Sequence, residues 1–381
     1  MPNSRRPVLW LTTPFLSGLL LISFAFVVDA AEESTVSPRV EAGIAWYDVS
    51  AWGVEGKGWN ETARYYDRLP AKAEGVVRGA VWNLSRHSAG MAALFETDAS
   101  KILTRYRLMS GSLAMPHMAA TGVSGVDLYG RDEQGRWGWI GISRPSAQDV
   151  KATLAEGLLP GSRTYMLYLP LYNGVESLEI GVPEGSAFQP MAPRSKKPVV
   201  YYGTSIAHGA CASRTGMAFP AILGRWFDRP VINLGFSGNG RMDAEVADLL
   251  AELDAAVFVI DCLPNMDGAA VAQRTEPLVR RIRETRPEAA IVLVEDRTYA
   301  NTPFLPSRRE RHNTSRAALR GAYERLTADG VKNLHYVEGE GLLGDDGEAT
   351  TDSSHPSDLG MMRMAESLRP VLKPLLTEHG D

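Results

Sequence analysis

From residue 199 onward, short apolar runs alternate with longer amphipathic stretches, and this alternation constrains the fold more than any other property of the chain. The runs at residues 199–202, 231–234, 255–260, 289–294 and 334–337 are short, β-rich and mostly apolar, as strands covered on both faces are. Between and after them, residues 217–227, 244–253, 269–286, 308–328 and 358–376 carry helical periodicity. Ser307 with Glu310 three residues on predicts a capping box at the start of the fourth helix. Strand–helix alternation makes a doubly wound α/β domain, a parallel sheet of five strands with helices on both faces. In such sheets ligands bind beyond the carboxyl ends of the strands.

The preceding part has another period. From about residue 41 to 183, β-rich runs such as 101–108, 137–142 and 164–169 are bounded by Gly, Asn, Asp and Pro, and residues 175–182 alternate apolar and polar. This predicts an antiparallel β-sandwich over residues 40–183. Pro183, Pro190, Pro193 and Pro198, interleaved with Arg194, Lys196 and Lys197, predict a linker over 184–198, with the α/β domain occupying 199–381. Both periods within 381 residues require two cores.

Residues 1–31 read as a targeting segment. Arg5 and Arg6 precede a run without charge from residue 8 to 28, and Ala30 and Ala31 then lead into Glu32 and Glu33. That is the order of a secretory signal peptide, the alternative being an uncleaved anchor of the same length. Its loss removes Arg5, Arg6 and Asp29, taking the net charge from -5 to -6, and the remaining chain has no membrane-length apolar run. The expectation is an exported protein, periplasmic or extracellular, free of the membrane after cleavage. Mixed, mildly acidic charge without a Lys/Arg cluster excludes a nucleic-acid partner on electrostatic grounds. Two cysteines exclude a disulfide scaffold, and no HExxH or comparable cluster appears, so no metal or other cofactor is expected.

Four blocks fall at predicted strand ends: Gly203-Thr204-Ser205, Gly235-Phe236-Ser237-Gly238, Asp261-Cys262-Leu263-Pro264-Asn265 and Asp352-Ser353-Ser354-His355. They bring a serine, a histidine and an aspartate to one sheet edge, the parts of a nucleophile, a general base and its orienting group. Gly238 N–H and the Asn265 amide are candidate oxyanion donors beside the Ser205 N–H.

These blocks, in this order, resemble the SGNH hydrolases, also called GDSL-type esterases. The resemblance implies a flavodoxin-like sheet, Ser205, Asp352 and His355 as catalytic residues, and Ser205, Gly238 and Asn265 as the oxyanion hole. Upstream, Gly125-Val126-Asp127-Leu128-Tyr129 resembles the Gly-x-Asp-Leu-Tyr signature of the β-rich N-terminal domain in one branch of that family. Thr204 stands where the name-giving motif has Asp, and Leu-Pro-Asn-Met replaces Gly-x-Asn-Asp, so the hydrogen bonding of the first turn and the shape of the third loop depart from the pattern. The implied activity is ester hydrolysis without a cofactor. The export signal and the aromatic-rich first half favour acetyl esters on a carbohydrate or polysaccharide over lipid or thioester substrates; a non-catalytic carbohydrate-binding protein is the alternative of another class.

Other residues carry weaker expectations. Ser237 nearly completes a Gly-x-Ser-x-Gly elbow, but Asn239 holds the last position. His208 and Arg297 are expected substrate contacts, each with a surface or capping role as the alternative. Cys211 and Cys262 flank the predicted site and are read equally as a disulfide or as two buried thiols. Trp46, Trp52, Trp59, Trp82, Trp137 and Trp139 all precede the linker, where they pack in the core or stack on sugar rings.

Overall fold

The computed structural model describes residues 36–378 and the isolated positions 3 and 9; the expected signal peptide otherwise lies outside the described residues. No helix among the described residues is long and apolar enough to cross a membrane.

Ten strands build the first part: β1 (Arg39–Glu41), β2 (Ile44–Asp48), β3 (Ala92–Thr97), β4 (Lys101–Leu108), β5 (Asp127–Arg131), β6 (Trp137–Ile142), β7 (Asp149–Glu156), β8 (Arg163–Tyr168), β9 (Val175–Pro183) and β10 (Phe188–Met191). They form two antiparallel sheets, in the orders β1-β2-β9-β4-β7 and β10-β3-β8-β5-β6. Phe95, Ile102, Tyr106, Leu128, Tyr165, Leu178 and Ile180 interleave between them as the sandwich core. Short helices α1 (Gly79–Ser85) and α2 (Ala120–Val123) lie in the connections. Within residues 184–198, β10 pairs with β3 from Phe188↔Thr97 to Met191↔Leu94, so part of the proline-rich stretch is an edge strand of the sandwich.

The second part follows the strand–helix alternation. Strands β11 (Val199–Gly203), β12 (Val231–Gly235), β13 (Val257–Asp261), β14 (Ala290–Val294) and β15 (Leu334–Val337) form a parallel sheet in the order β12-β11-β13-β14-β15. Its helices are α3 (Ser205–His208), α4 (Phe219–Trp226), α5 (Ala244–Glu252), α6 (Gly268–Thr285), α7 (Pro306–Ala328) and α8 (Asp358–Glu378). Successive residues of each strand face opposite cores. Val199, Tyr201, Val257 and Val259 pack with α4 and α8, whereas Val200, Tyr202, Phe258 and Ile260 pack with α5, α6 and α7. One boundary differs from expectation: α7 starts after Leu305, with Pro306 at its first position and no side-chain cap. The fixed φ of Pro306 opens the helix, and Ser307 lies inside it rather than capping it.

The two parts also share apolar clusters. Ala89, Met118, Val123 and Leu171 pack with Tyr201, Ile206 and Phe219, and Leu69, Val81 and Trp82 pack with Tyr202, Leu250 and Phe258. Asp127 of the Gly-x-Asp-Leu-Tyr block is fully buried and accepts from Arg214 Nη1 at 2.8 Å, Gly216 N at 2.9 Å and Trp139 Nε1 at 2.6 Å. The block is therefore a polar tie between the sandwich and the segment that follows the Ser205 loop. The tryptophans mostly pack: Trp46 and Trp82 are buried and Trp59 donates to Glu252, while Trp139 is half exposed.

Candidate active site

β11 delivers Ser205 to the carboxyl edge of the parallel sheet. Thr204 is extended, caps α3 and accepts from Ile206 N–H through Oγ1 at 3.4 Å. The hydroxyl thus serves the turn in which the family pattern has a carboxylate. Ser205 is the first residue of α3, so its N–H has no intrahelical acceptor. Gly209 closes the helix at φ +118°, a conformation that side-chain-bearing residues rarely adopt, and donates back to Ser205 O at 3.0 Å. Opposite, Gly235 is required by crowding: a Cβ there would lie 2.2 Å from His208 N.

Asp352 and His355 lie between β15 and α8. Ser205 Oγ is 2.8 Å from His355 Nε2, and His355 Nδ1 is 2.7 Å from Asp352 Oδ2. Asp352 Oδ1 accepts from the backbone N–H of Ser354 at 3.1 Å and of His355 at 2.7 Å. Burial pushes the Asp352 carboxyl up, but hydrogen bonds from the His355 backbone N–H and imidazole, with the attraction of that ring's positive charge, more than reverse this, holding it at about 2. Asp352 is therefore a carboxylate through the neutral range.

Long-range contacts hold this loop. Arg297 donates from Nε and Nη2 to Ser354 O at 3.0 and 2.8 Å and from Nη2 to Ser354 Oγ at 2.7 Å. Its guanidinium also pairs with Asp296, which accepts from Arg311 Nη1 at 2.6 Å. Ala300 N–H donates to Ser353 O at 3.0 Å, and Cys211 N–H to Pro356 O at 2.9 Å.

The oxyanion candidates come from the neighbouring strand ends. Gly238 turns at φ +67° after β12, and Asn265 ends a short turn after β13. Asn265 Oδ1 accepts from Gly240 N–H at 3.2 Å, which leaves Nδ2 without an acceptor among the described residues. Beneath the Ser205 turn, Gly203 is in register with Asp261, which is buried and accepts from Tyr201 Oη at 2.9 Å. Burial raises the Asp261 carboxyl to about 7, against the pull of Tyr201 and Arg297.

Two expected substrate contacts are corrected. His208 is fully buried, stacked on Tyr172 at 4.1 Å and within 3.5 Å of Arg68 Nη2. Burial and the Arg68 charge hold its imidazole well below the ordinary histidine range, so it is a neutral core group. Arg297 is only 2% exposed and spends its donors on Ser354 and Asp296, positioning the His355 loop rather than meeting a ligand. The disulfide reading is also corrected: Cys211 and Cys262 are free thiols. They pack in the apolar clusters on opposite sides of the sheet, which separates their side chains.

Some residues around the site had no sequence signal. His117, on the loop between β4 and α2, places its ring 5.8 Å from that of His355. Tyr172 Oη donates to Ser205 O at 3.1 Å. Arg68 is buried and donates to Asn233 O, Gly235 O, His87 O and Leu84 O at 2.7–3.0 Å, binding the first part to the end of β12. A cavity of about 240 Å³, lined by Tyr299, Ala300, Pro303, Leu343 and Thr350, flanks the His355 loop. A larger one of about 590 Å³ lies by Pro198, Pro230 and Asp254, at the opposite edge of the sheet from Ser205. The hydrogen-bonded chain Ser205–His355–Asp352 thus lies at the edge of the sheet away from the larger cavity.

Two family models match the chain in succession. Residues 196–373 match the model of the GDSL-like lipase/acylhydrolase family, and residues 44–188 match the GxDLY model, the N-terminus of SGNH-hydro-type esterases. A GDSL-like lipase from Bacteroides ovatus ATCC 8483 is 32% identical, with 88% of this chain and 98% of that one aligned at a TM-score of 0.84. The salicylyl-acyltransferase SsfX3 of a tetracycline biosynthetic pathway shares the fold at 18% identity, over 91% of this chain and 98% of that one, TM-score 0.68. A family two carbohydrate esterase from Clostridium thermocellum, in complex with cellohexaose, shares it at 15% identity, over 76% and 93%, TM-score 0.54. The search of curated proteins gave no match.

Proposed function

For a chain that belongs to the GDSL-like lipase/acylhydrolase family, we propose serine-dependent hydrolysis of short acyl esters, acetyl above all, on a carbohydrate. The observation that carries the reading is the hydrogen-bonded chain Ser205 Oγ–His355 Nε2, 2.8 Å, and His355 Nδ1–Asp352 Oδ2, 2.7 Å, at the carboxyl edge of the sheet. Ser205 Oγ attacks the ester carbonyl while His355 Nε2 takes its proton, and Asp352 holds the imidazole and its developing charge. The Ser205 and Gly238 N–H groups and Asn265 Nδ2 receive the oxyanion, each donor contributing roughly 3–4 kcal/mol in comparable sites. His355 then returns the proton to the leaving alcohol, and water repeats the sequence on the acyl-enzyme.

The carbohydrate reading is supported by the fold shared with carbohydrate esterases and by the leader-like composition of residues 1–31, which fits a substrate outside the cytoplasm. The test is acetate release from a panel of acetylated polysaccharides, run beside aryl esters of increasing acyl length. Acetate release, with rates falling beyond short acyl groups, is expected. No acetate from any polysaccharide, with fast turnover of long acyl esters, would replace this reading with lipid hydrolysis.

A further inference from the structure

His117, Cys211 and His355 come from three segments far apart in sequence, yet one ligand atom of each lies within 4.8 Å of the other two, the single such grouping among the described residues. Two imidazoles and a thiol are the donor set of a zinc-class cation rather than of calcium or magnesium. Bonds of about 2.0–2.3 Å place tetrahedral ligand atoms roughly 3.3–3.8 Å apart, so the group closes by about 1 Å. His117 can supply that movement, being exposed and holding no hydrogen bond among the described residues. Cys211 is positioned independently: its N–H donates to Pro356 O, which fixes the thiol beside the loop that carries His355. Solvent reaches the group from the His117 side.

We propose that His117, Cys211 and His355 form an inhibitory binding site for Zn²⁺ or a similar divalent cation. The inhibition rests on the catalytic reading given above; the binding does not. His355 Nδ1 is committed to Asp352, so the cation takes the lone pair of Nε2, the atom to which Ser205 Oγ would donate. The Cys211 thiol gives its proton to solvent as the metal–sulfur bond forms, His117 supplies a second imidazole nitrogen, and water fills the fourth position. A bound cation therefore removes the base from Ser205, and a chelator restores it.

The test uses the full chain with Zn²⁺, read by calorimetry and by inhibition of aryl-ester hydrolysis, and Co²⁺ as a spectroscopic substitute. One cation per chain is expected, with a cobalt–thiolate charge-transfer band, and inhibition that a chelator reverses. His117→Asn and Cys211→Ser should hydrolyse the ester at the parent rate without metal, raise the Zn²⁺ concentration for half-inhibition roughly tenfold or more, and, for Cys211→Ser, abolish the band. Absence of stoichiometric binding, or binding and inhibition indifferent to both substitutions, overturns the site and leaves the hydrolase reading standing. Site-dependent binding that leaves hydrolysis untouched takes His355 out of the ligand set and overturns the inhibition, with the hydrolase reading again left standing.

Discussion

The two loops that meet at Ser205 Oγ are built by different means. The Ser205 loop is short, buried and held by its own neighbours: Thr204 Oγ1 caps it, Gly209 closes it, and β11, flanked by strands on both sides, aims it. The Asp352–His355 loop lies nearer solvent, and its own hydrogen bonds are those to the Asp352 carboxylate and the one from Thr351 N–H to His355 O. Its place against Ser205 depends on the Arg297 guanidinium and on the backbone N–H groups of residues 300 and 211, which arrive from two other connections. On the proposed reading, the nucleophile at the end of a central strand inherits the rigidity of the sheet. The base has no such element and needs tertiary contacts to stay in reach, and near-ångström misplacement is expensive in rate.

The largest effect should come from the junction itself. Ser205→Ala and His355→Ala are each expected to lower kcat for an aryl ester by roughly 10³-fold or more, with an unchanged circular dichroism spectrum. Retained turnover in Ser205→Ala would break the assignment of the two loops to one reaction. Next is a pH effect confined to the buried side. Asp261 ionises at 3.8 when unfolded but at about 7 in the fold, so between those values the native state holds a proton that the unfolded state has released. Stability contributed by the protonated form is complete below about pH 4 and is lost as pH rises through about 7, a change on the order of 4 kcal/mol. Urea-unfolding midpoints across that window should fall with pH, and Asp261→Asn should flatten the slope. An unaltered slope in that variant would place the titration elsewhere.

Arg297→Met tests the other side. It should reduce kcat roughly 10- to 100-fold by releasing the Ser354 carbonyl, while substrate KM changes little. Parent kcat would show that the His355 loop holds itself. The smallest effect is expected at Thr204→Val, which removes the cap on Ile206 N–H. A cost of about 0.5–1 kcal/mol in thermal unfolding is predicted, with kcat within a few-fold of the parent. A larger catalytic loss there would mean that the Ser205 turn is less self-sufficient than its hydrogen bonds indicate.

Much of the α/β part was readable along the chain, because strands buried on both faces leave continuous apolar runs and helices leave a regular period. The five strands lie within a residue or two of their expected positions, and the residues of the strand-end blocks come together at one edge. The start of α7 was misplaced because Ser307 and Glu310 match a capping box equally well from inside a helix whose first turn Pro306 supplies. His208 and Arg297 were expected at the surface because local sequence does not report burial. Both are interior groups whose deciding partners, Tyr172 and Arg68 for one and Ser354 for the other, lie far away along the chain.

The order of Ser205, Gly238, Asn265, Asp352 and His355, and the edge on which they fall, were determined by the sequence itself, since strand direction and alternation are local properties of the chain. The tertiary structure alone decided that His117 stands beside His355, that Cys211 and Cys262 face opposite cores, and that Asp127 and Arg68 tie the sandwich to the loops around the site. These are contacts between segments that no periodicity connects. Those of His117, Asp127 and Arg68 form only when two separately patterned halves bury their surfaces against each other.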